Sequence, residues 1–221
     1  MSTKPRIVLL HAYRFSMAPI DEAFRELWPE AQAIRILDET LYADAGADGT
    51  LPANIGARLQ SLFRHSELSG AAGIVFTGST FGPAVEAARG AVKIPILKAD
   101  EAMADAAVAR GKRILILTTA KRALPVIRGN LEAAAARAGK AVEVGEGWVE
   151  GAQAANNAGR ADEHDKLIAE AAAAGQGFDV IMLGQMSMTP ALERMTPAVA
   201  ARTLSSPSAS VARMKLLLGA A

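Results

Sequence analysis

One strand-then-turn-then-helix pattern occurs twice along the chain at a constant offset, and this limits the folds open to it more than any other feature. Arg6-Ile7-Val8-Leu9-Leu10 is matched by Arg113-Ile114-Leu115-Ile116-Leu117 (113 − 6 = 107). Ile74-Val75-Phe76-Thr77-Gly78 is matched at the same spacing by Ile181-Met182-Leu183-Gly184-Gln185, and Pro83-Ala84-Val85-Glu86 by Pro190-Ala191-Leu192-Glu193. Buried strands draw on a small alphabet, so one such match means little. A shared offset across separated strands and helix starts points to internal duplication.

The apolar, β-branched runs predict buried strands at Ile7–Leu10, Gly73–Thr77, Ile94–Leu97, Ile114–Leu117, Ala141–Val144 and Val180–Leu183. Helical patterns lie between them, at Pro19–Trp28, Ile55–Ser66, Pro83–Ala91, Asp100–Arg110, Pro125–Ala138, Asp162–Ala174 and Pro190–Ala201. A last helix is expected from about Ser208 to Leu218, capped by Ser208 or a neighbour. Strand alternating with helix predicts an α/β fold with mostly parallel sheets covered on both faces. We therefore expect two pseudo-symmetric, flavodoxin-like α/β halves, residues 1–98 with 205–221 and residues 99–204, sharing a cleft. Ligands of open parallel sheets bind beyond the carboxyl ends of the strands. The repeat would then set Gly78 opposite Gln185, Thr80 opposite Ser187, and His11-Ala12 opposite Thr118-Thr119.

Composition removes several function classes. The formal net charge is +1 and the charges are mixed, so there is no global field for nucleic acid or an acidic membrane. The run after the basic start, Ile7 to Leu10, is too short for a signal-peptide core, and no apolar stretch reaches membrane-span length; a cytoplasmic protein is expected. The chain has no cysteine, which removes disulfides, thiolate metal sites and thiol catalysis. Its three histidines, His11, His65 and His164, show no metal-ligand spacing, so no metal is expected. No glycine-rich nucleotide fingerprint occurs.

Four loops could carry chemistry. Thr77-Gly78-Ser79-Thr80-Phe81-Gly82-Pro83 follows a strand and enters a helix, offering hydroxyl donors and helix-start amides to an anion. Leu183-Gly184-Gln185-Met186-Ser187-Met188-Thr189-Pro190 has the same plan; Gln185 can donate or accept but is no base near neutral pH. Thr118-Thr119-Ala120-Lys121-Arg122 ends a strand with two hydroxyls and two cations, and a desolvated Lys121 could serve as a base. His11-Ala12-Tyr13-Arg14-Phe15-Ser16 places a histidine at a strand end, able to exchange protons or to act as a fixed hydrogen-bonding group. Ordinary capped turns use the same residue types, and only the repeat favours ligand loops. His164 reads as a surface or capping residue at an acidic helix start, and Asn156-Asn157-Ala158-Gly159 as a loop before it. That loop and Gly147-Trp148 could line the site.

These residues carry a resemblance. Thr77-Gly78-Ser79-Thr80 resembles the first catalytic loop of the aspartate/glutamate/hydantoin racemase superfamily, which commonly reads cysteine, then asparagine or serine, then threonine; Gly78 stands at the cysteine. Leu183-Gly184-Gln185 resembles the second loop, commonly Leu-Gly-Cys, with Gln185 at the cysteine. His11-Ala12, Trp28-Pro29-Glu30-Ala31, Glu101-Ala102-Met103 and His164-Asp165 are similar to one subgroup, whose second loop reads Gln-x-Ser-Met.

The resemblance implies a small carboxylic or amino-acid ligand, no cofactor, proton transfer at the carbon next to the carboxylate, and compatibility with a homodimer. Members include amino-acid and hydantoin racemases, maleate isomerase and arylmalonate decarboxylase. Negative charge grows on the carboxylate as the carbanion forms, so donors must face it. Ser79, Thr80, Thr118, Thr119 and Ser187 suit that role, and His11 and Lys121 are the proton carriers that remain. The usual acid and base are thiols on the two repeated loops, and both are missing. Three readings stand open: an isomerase with non-standard acid and base, a cysteine-free lyase or decarboxylase, and a carboxylate-binding protein without turnover. Gly78 is either native or a substitution made to trap a ligand.

Overall fold

The computed structural model describes residues 4–46, 48–98 and 100–220. Its strands are β1 (Arg6–His11), β2 (Gln32–Leu37), β3 (Gly73–Phe76), β4 (Ile96–Lys98), β5 (Arg113–Thr118), β6 (Glu143–Trp148), β7 (Val180–Leu183) and β8 (Thr203–Ser205). The α-helices are α1 (Met17–Leu27), α2 (Glu39–Asp44), α3 (Ile55–Leu68), α4 (Gly82–Ala88), α5 (Glu101–Arg110), α6 (Leu124–Arg137), α7 (Ala152–Asn157), α8 (Ala161–Ala174), α9 (Pro197–Ala201) and α10 (Ser206–Leu217). They build two parallel four-stranded sheets, ordered β2-β1-β3-β4 and β6-β5-β7-β8, each flanked by helices. Asp100–Ser206 forms one compact unit; the residues before it, with those from Pro207 onward, form the other.

The sequence repeat is a repeat of structure. β1 and β5, β3 and β7, and β4 and β8 each start 107 residues apart (113 − 6, 180 − 73, 203 − 96). So do the 3-10 turns Arg14–Ser16 and Lys121–Ala123 (121 − 14). The central strands β1, β3, β5 and β7 are buried almost throughout, which explains their unbroken apolar runs. In the first unit they pack Val8, Leu10, Ile74 and Phe76 against Leu59 and Phe63 of α3 and Val85 of α4. In the second, Leu115, Leu117, Ile181 and Leu183 meet Ala152 of α7 and Ile168 and Ala172 of α8. Each of the buried Val, Leu, Ile and Phe side chains contributes about 1.5–3 kcal/mol, and the alanines about 1 or less.

Several expectations are corrected. The edge strand β2 was not anticipated, because Gln32–Leu37 has no buried run; four of its six residues are exposed. The strand expected at Ala141–Val144 is β6, shifted to Glu143–Trp148. Two glycines enter it because a Cβ on Gly145 would strike the Phe178 ring, and one on Gly147 the Leu117 side chain. The single helix expected over Pro190–Ala201 is a 3-10 run, Met186–Arg194, followed by α9. Pro190 lacks a helix-bonding N–H, and Thr196, extended at ψ 153 before Pro197, breaks the chain and caps α9 by accepting from the Val199 amide. Asn156 and Asn157 close α7 rather than lying in a loop. α10 begins at Ser206, so Ser208 lies inside it. Among the described residues no helix is long and apolar enough to cross a membrane.

Candidate active site

The loops singled out above lie at the carboxyl ends of the strands of their own sheets. In the first unit His11 ends β1, and Thr77 follows β3, its amide donating to the Leu10 carbonyl at 3.0 Å. His11 is fully buried. Its Nδ1 lies 2.9 Å from both Ser16 Oγ and Thr77 Oγ1, which are 2.8 Å from each other. Ser16 donates its proton to the Tyr13 carbonyl at 2.7 Å. Ser16 Oγ must then accept, Thr77 can donate to it, and the imidazole Nδ1–H can donate to Thr77. In this arrangement the ring carries its proton on Nδ1 and keeps the Nε2 lone pair; the Thr77 hydroxyl also lies 3.4 Å from the Leu10 carbonyl as a second acceptor. That Nε2 is buried and has no hydrogen-bond partner among the described residues. Burial, and secondarily the charge of Arg35, push His11 down to about 4, so the ring is neutral at pH 7.

Gly78 has φ −104 and ψ 96, a backbone open to any residue. Space is what excludes a side chain: a Cβ there would lie 2.9 Å from the Phe76 ring and 2.9 Å from the Phe81 ring. Those rings pack edge to face at 5.8 Å. Ser79 and Thr80 occupy a 3-10 turn, Ser79–Phe81, and both are buried. α4, which follows, has seven residues, so its dipole adds less to anion binding than the sequence suggested.

The second unit builds its loop cluster differently. Gly184 donates to the Leu117 carbonyl at 2.8 Å, with no room for a Cβ against that oxygen. The following side chain, Gln185, spans to the end of β5. Its Oε1 accepts from the Thr119 amide at 3.0 Å and, more weakly, from the Thr119 hydroxyl at 3.5 Å, while its Nε2 donates to Thr118 Oγ1. Thr118 donates to the Ala120 carbonyl at 3.0 Å and accepts from the Ala120 amide at 3.2 Å. Its proton is committed, so the ligand-donor role suggested for Thr118 does not fit. Thr119 and Ser187 are buried hydroxyls of the same loops. Trp148, at the end of β6, donates Nε1–H to the Thr119 carbonyl at 3.2 Å. The Lys121 ammonium rests 3.7 Å from the centre of its ring. Lys121 is exposed rather than desolvated.

His164 is corrected as well. It is buried, not a surface cap, with Nδ1 2.7 Å from Asp165 Oδ1 and Nε2 without a hydrogen-bond partner among the described residues. Sequence reading placed Ser16 and Thr77 in candidate loops but paired neither with His11. Their pairing with His11 spans 66 residues and depends on β1 and β3 being neighbours, which the repeat could have suggested. Among the described residues no group of three or more His, Asp or Glu is placed to hold a metal ion. The clusters offer hydroxyl and amide donors suited to carboxylate oxygens, beside one neutral imidazole and one exposed ammonium.

The Asp/Glu/Hydantoin racemase family profile matches residues 17–214. Among solved structures, allantoin racemase from Klebsiella pneumoniae is similar with a TM-score of 0.71 at 21% identity, over 98% of this chain and 89% of that one. Glutamate racemase isoform RacE1 from Bacillus anthracis gives 0.75 at 14% identity, over 98% and 82%. An arylmalonate decarboxylase gives 0.65 at 17% identity, over 97% and 93%. No curated protein sequence matches the chain.

Proposed function

Because this chain belongs to the Asp/Glu/Hydantoin racemase family, we propose that it binds a small carboxylic or amino acid and acts at the carbon next to the carboxylate by a route that uses no thiol. The observation that carries this reading is the set of buried hydroxyls on the repeated loops: Ser79 and Thr80 after β3, Thr119 after β5 and Ser187 after β7. Donors fixed before the reaction stabilise the charge that gathers on a carboxylate as its α-carbon loses a proton. His11 and Lys121 are the proton carriers in this proposal, with Nε2 the basic atom of His11. Cofactor independence and a cytoplasmic setting belong to the same reading.

The test is proton exchange. The protein is incubated in deuterated water with chiral amino acids, hydroxy acids, hydantoins and substituted malonates, and NMR follows α-proton exchange and carbon dioxide release. Exchange is expected for at least one acid and should fall at least tenfold in His11→Ala or Lys121→Ala. Exchange untouched by both substitutions rejects the assigned carriers. A second reading, binding without turnover, is favoured by one observation: both His11 ring nitrogens are sealed from solvent and the Lys121 ammonium sits against Trp148. Acids that bind without exchange or release would establish that second reading in place of the first.

A further inference from the structure

We propose that Gln185 is itself a ligand-binding donor, holding out one carboxamide N–H to a carboxylate oxygen. This rests on the small-carboxylate reading above and adds a residue and a polarity to it. The argument is one of proton accounting. The atom facing the Thr119 amide must be an acceptor, because a backbone N–H can only donate; that atom is Oε1, at 3.0 Å. The atom facing Thr118 Oγ1 must be a donor, because the Thr118 proton already goes to the Ala120 carbonyl. Two independent constraints select the same amide orientation.

A carboxamide has two N–H groups and only one can address Thr118. The other lies in the amide plane, turned away from the Thr118–Thr119 backbone. Among the described residues, Nε2 has Thr118 as its hydrogen-bond partner. Gln185 is half-buried, and its one N–H bond to Thr118 leaves the second N–H uncommitted. The side chain therefore commits its carbonyl oxygen to the Thr119 amide and keeps one N–H to give. A group held this way selects acceptors and rejects donors, with its orientation already fixed before a ligand arrives. At the position where the sequence resemblance expects a thiol, this chain presents a rigid neutral donor.

The test uses the intact, 15N-labelled protein titrated with malonate, D,L-lactate and D,L-glutamate, with the Gln185 side-chain NH2 pair assigned by through-bond correlation. One proton of the pair is expected to move with ligand saturation while the proton held by Thr118 stays. Gln185→Glu keeps the size but replaces the donor with an acceptor, and should weaken binding about ten- to hundredfold. If the Thr119 and Ser187 amides shift but neither Gln185 proton does, the donor role is overturned and carboxylate binding stands. If no acid moves any amide of these loops, both readings fall. The side-chain measurement needs no variant, so a poorly folding Gln185→Glu would not shield the proposal.

Discussion

The two units place polar locks at the same points of one backbone plan, but with unlike chemistry. In the first, a buried imidazole at the end of β1 is tied to two hydroxyls, one of them after β3. In the second, the corresponding strand end is Thr118, and the tie comes from the other loop, as the carboxamide of Gln185. What is preserved is a bridge between the ends of two adjacent parallel strands; which strand supplies the long side chain is interchangeable. The consequences differ, because an imidazole titrates and a carboxamide does not.

The largest expected effect tests that difference directly. The folded His11 sits at about 4 against an ordinary value of 6.5. Between these two values the unfolded chain takes up a proton that the folded chain refuses, so stability must fall as pH drops through this window. The contribution is fully present above 6.5 and lost on acidification to about 4, and it amounts to roughly 3 kcal/mol. Denaturant unfolding across this range, compared with His11→Gln, measures it; equal pH slopes in the two proteins would break the contrast.

A smaller effect concerns the two positions where the sequence resemblance expects cysteine. Gly78→Cys must push apart two packed rings and is expected to cost about 1–3 kcal/mol. Gln185→Cys removes a half-buried bridge that water can partly replace, at about 1 kcal/mol. Thermal unfolding of both variants ranks them, and the reverse order would show that the second lock is the stronger. The smallest effect is at the rim of the second cluster. Lys121→Ala is expected to cost about 0.5 kcal/mol by losing the exposed cation–ring contact. It should also change the fluorescence of Trp148; unchanged emission would mean that the contact is not populated in solution.

Much of this was legible in the chain itself. Ile7–Leu10 and Val180–Leu183 are buried on both faces, so apolarity marked them without help from periodicity. Gln32–Leu37 exposes residues on both of its faces at a sheet edge, and no unbroken apolar run announces it. The Pro190–Ala201 segment read as one α-helix, while the structure has a 3-10 run through Arg194, with Pro190 inside it, and a break at the Thr196-Pro197 pair. At the candidate site, residue types and loops could be read, but proton direction could not. Thr118 and Thr119 look alike in sequence; the structure gives the Thr118 proton to the Ala120 carbonyl at 3.0 Å and leaves the Thr119 hydroxyl a longer, 3.5 Å approach to Gln185 Oε1. His164 looked solvated beside its acidic neighbours, yet it faces inward with its own carboxylate attached.

The membership of α5 and α10 has a further consequence. Each of these helices follows the last strand of one sheet but belongs to the unit of the other. α10 covers the start of β3, where a Cβ on Gly73 would strike the Met214 sulfur, and α5 packs beside α6 and β7. Severing the polypeptide at the midpoint of the repeat would therefore not release two self-sufficient pieces. The amino-terminal fragment would lack a wall that only the far end of the chain supplies.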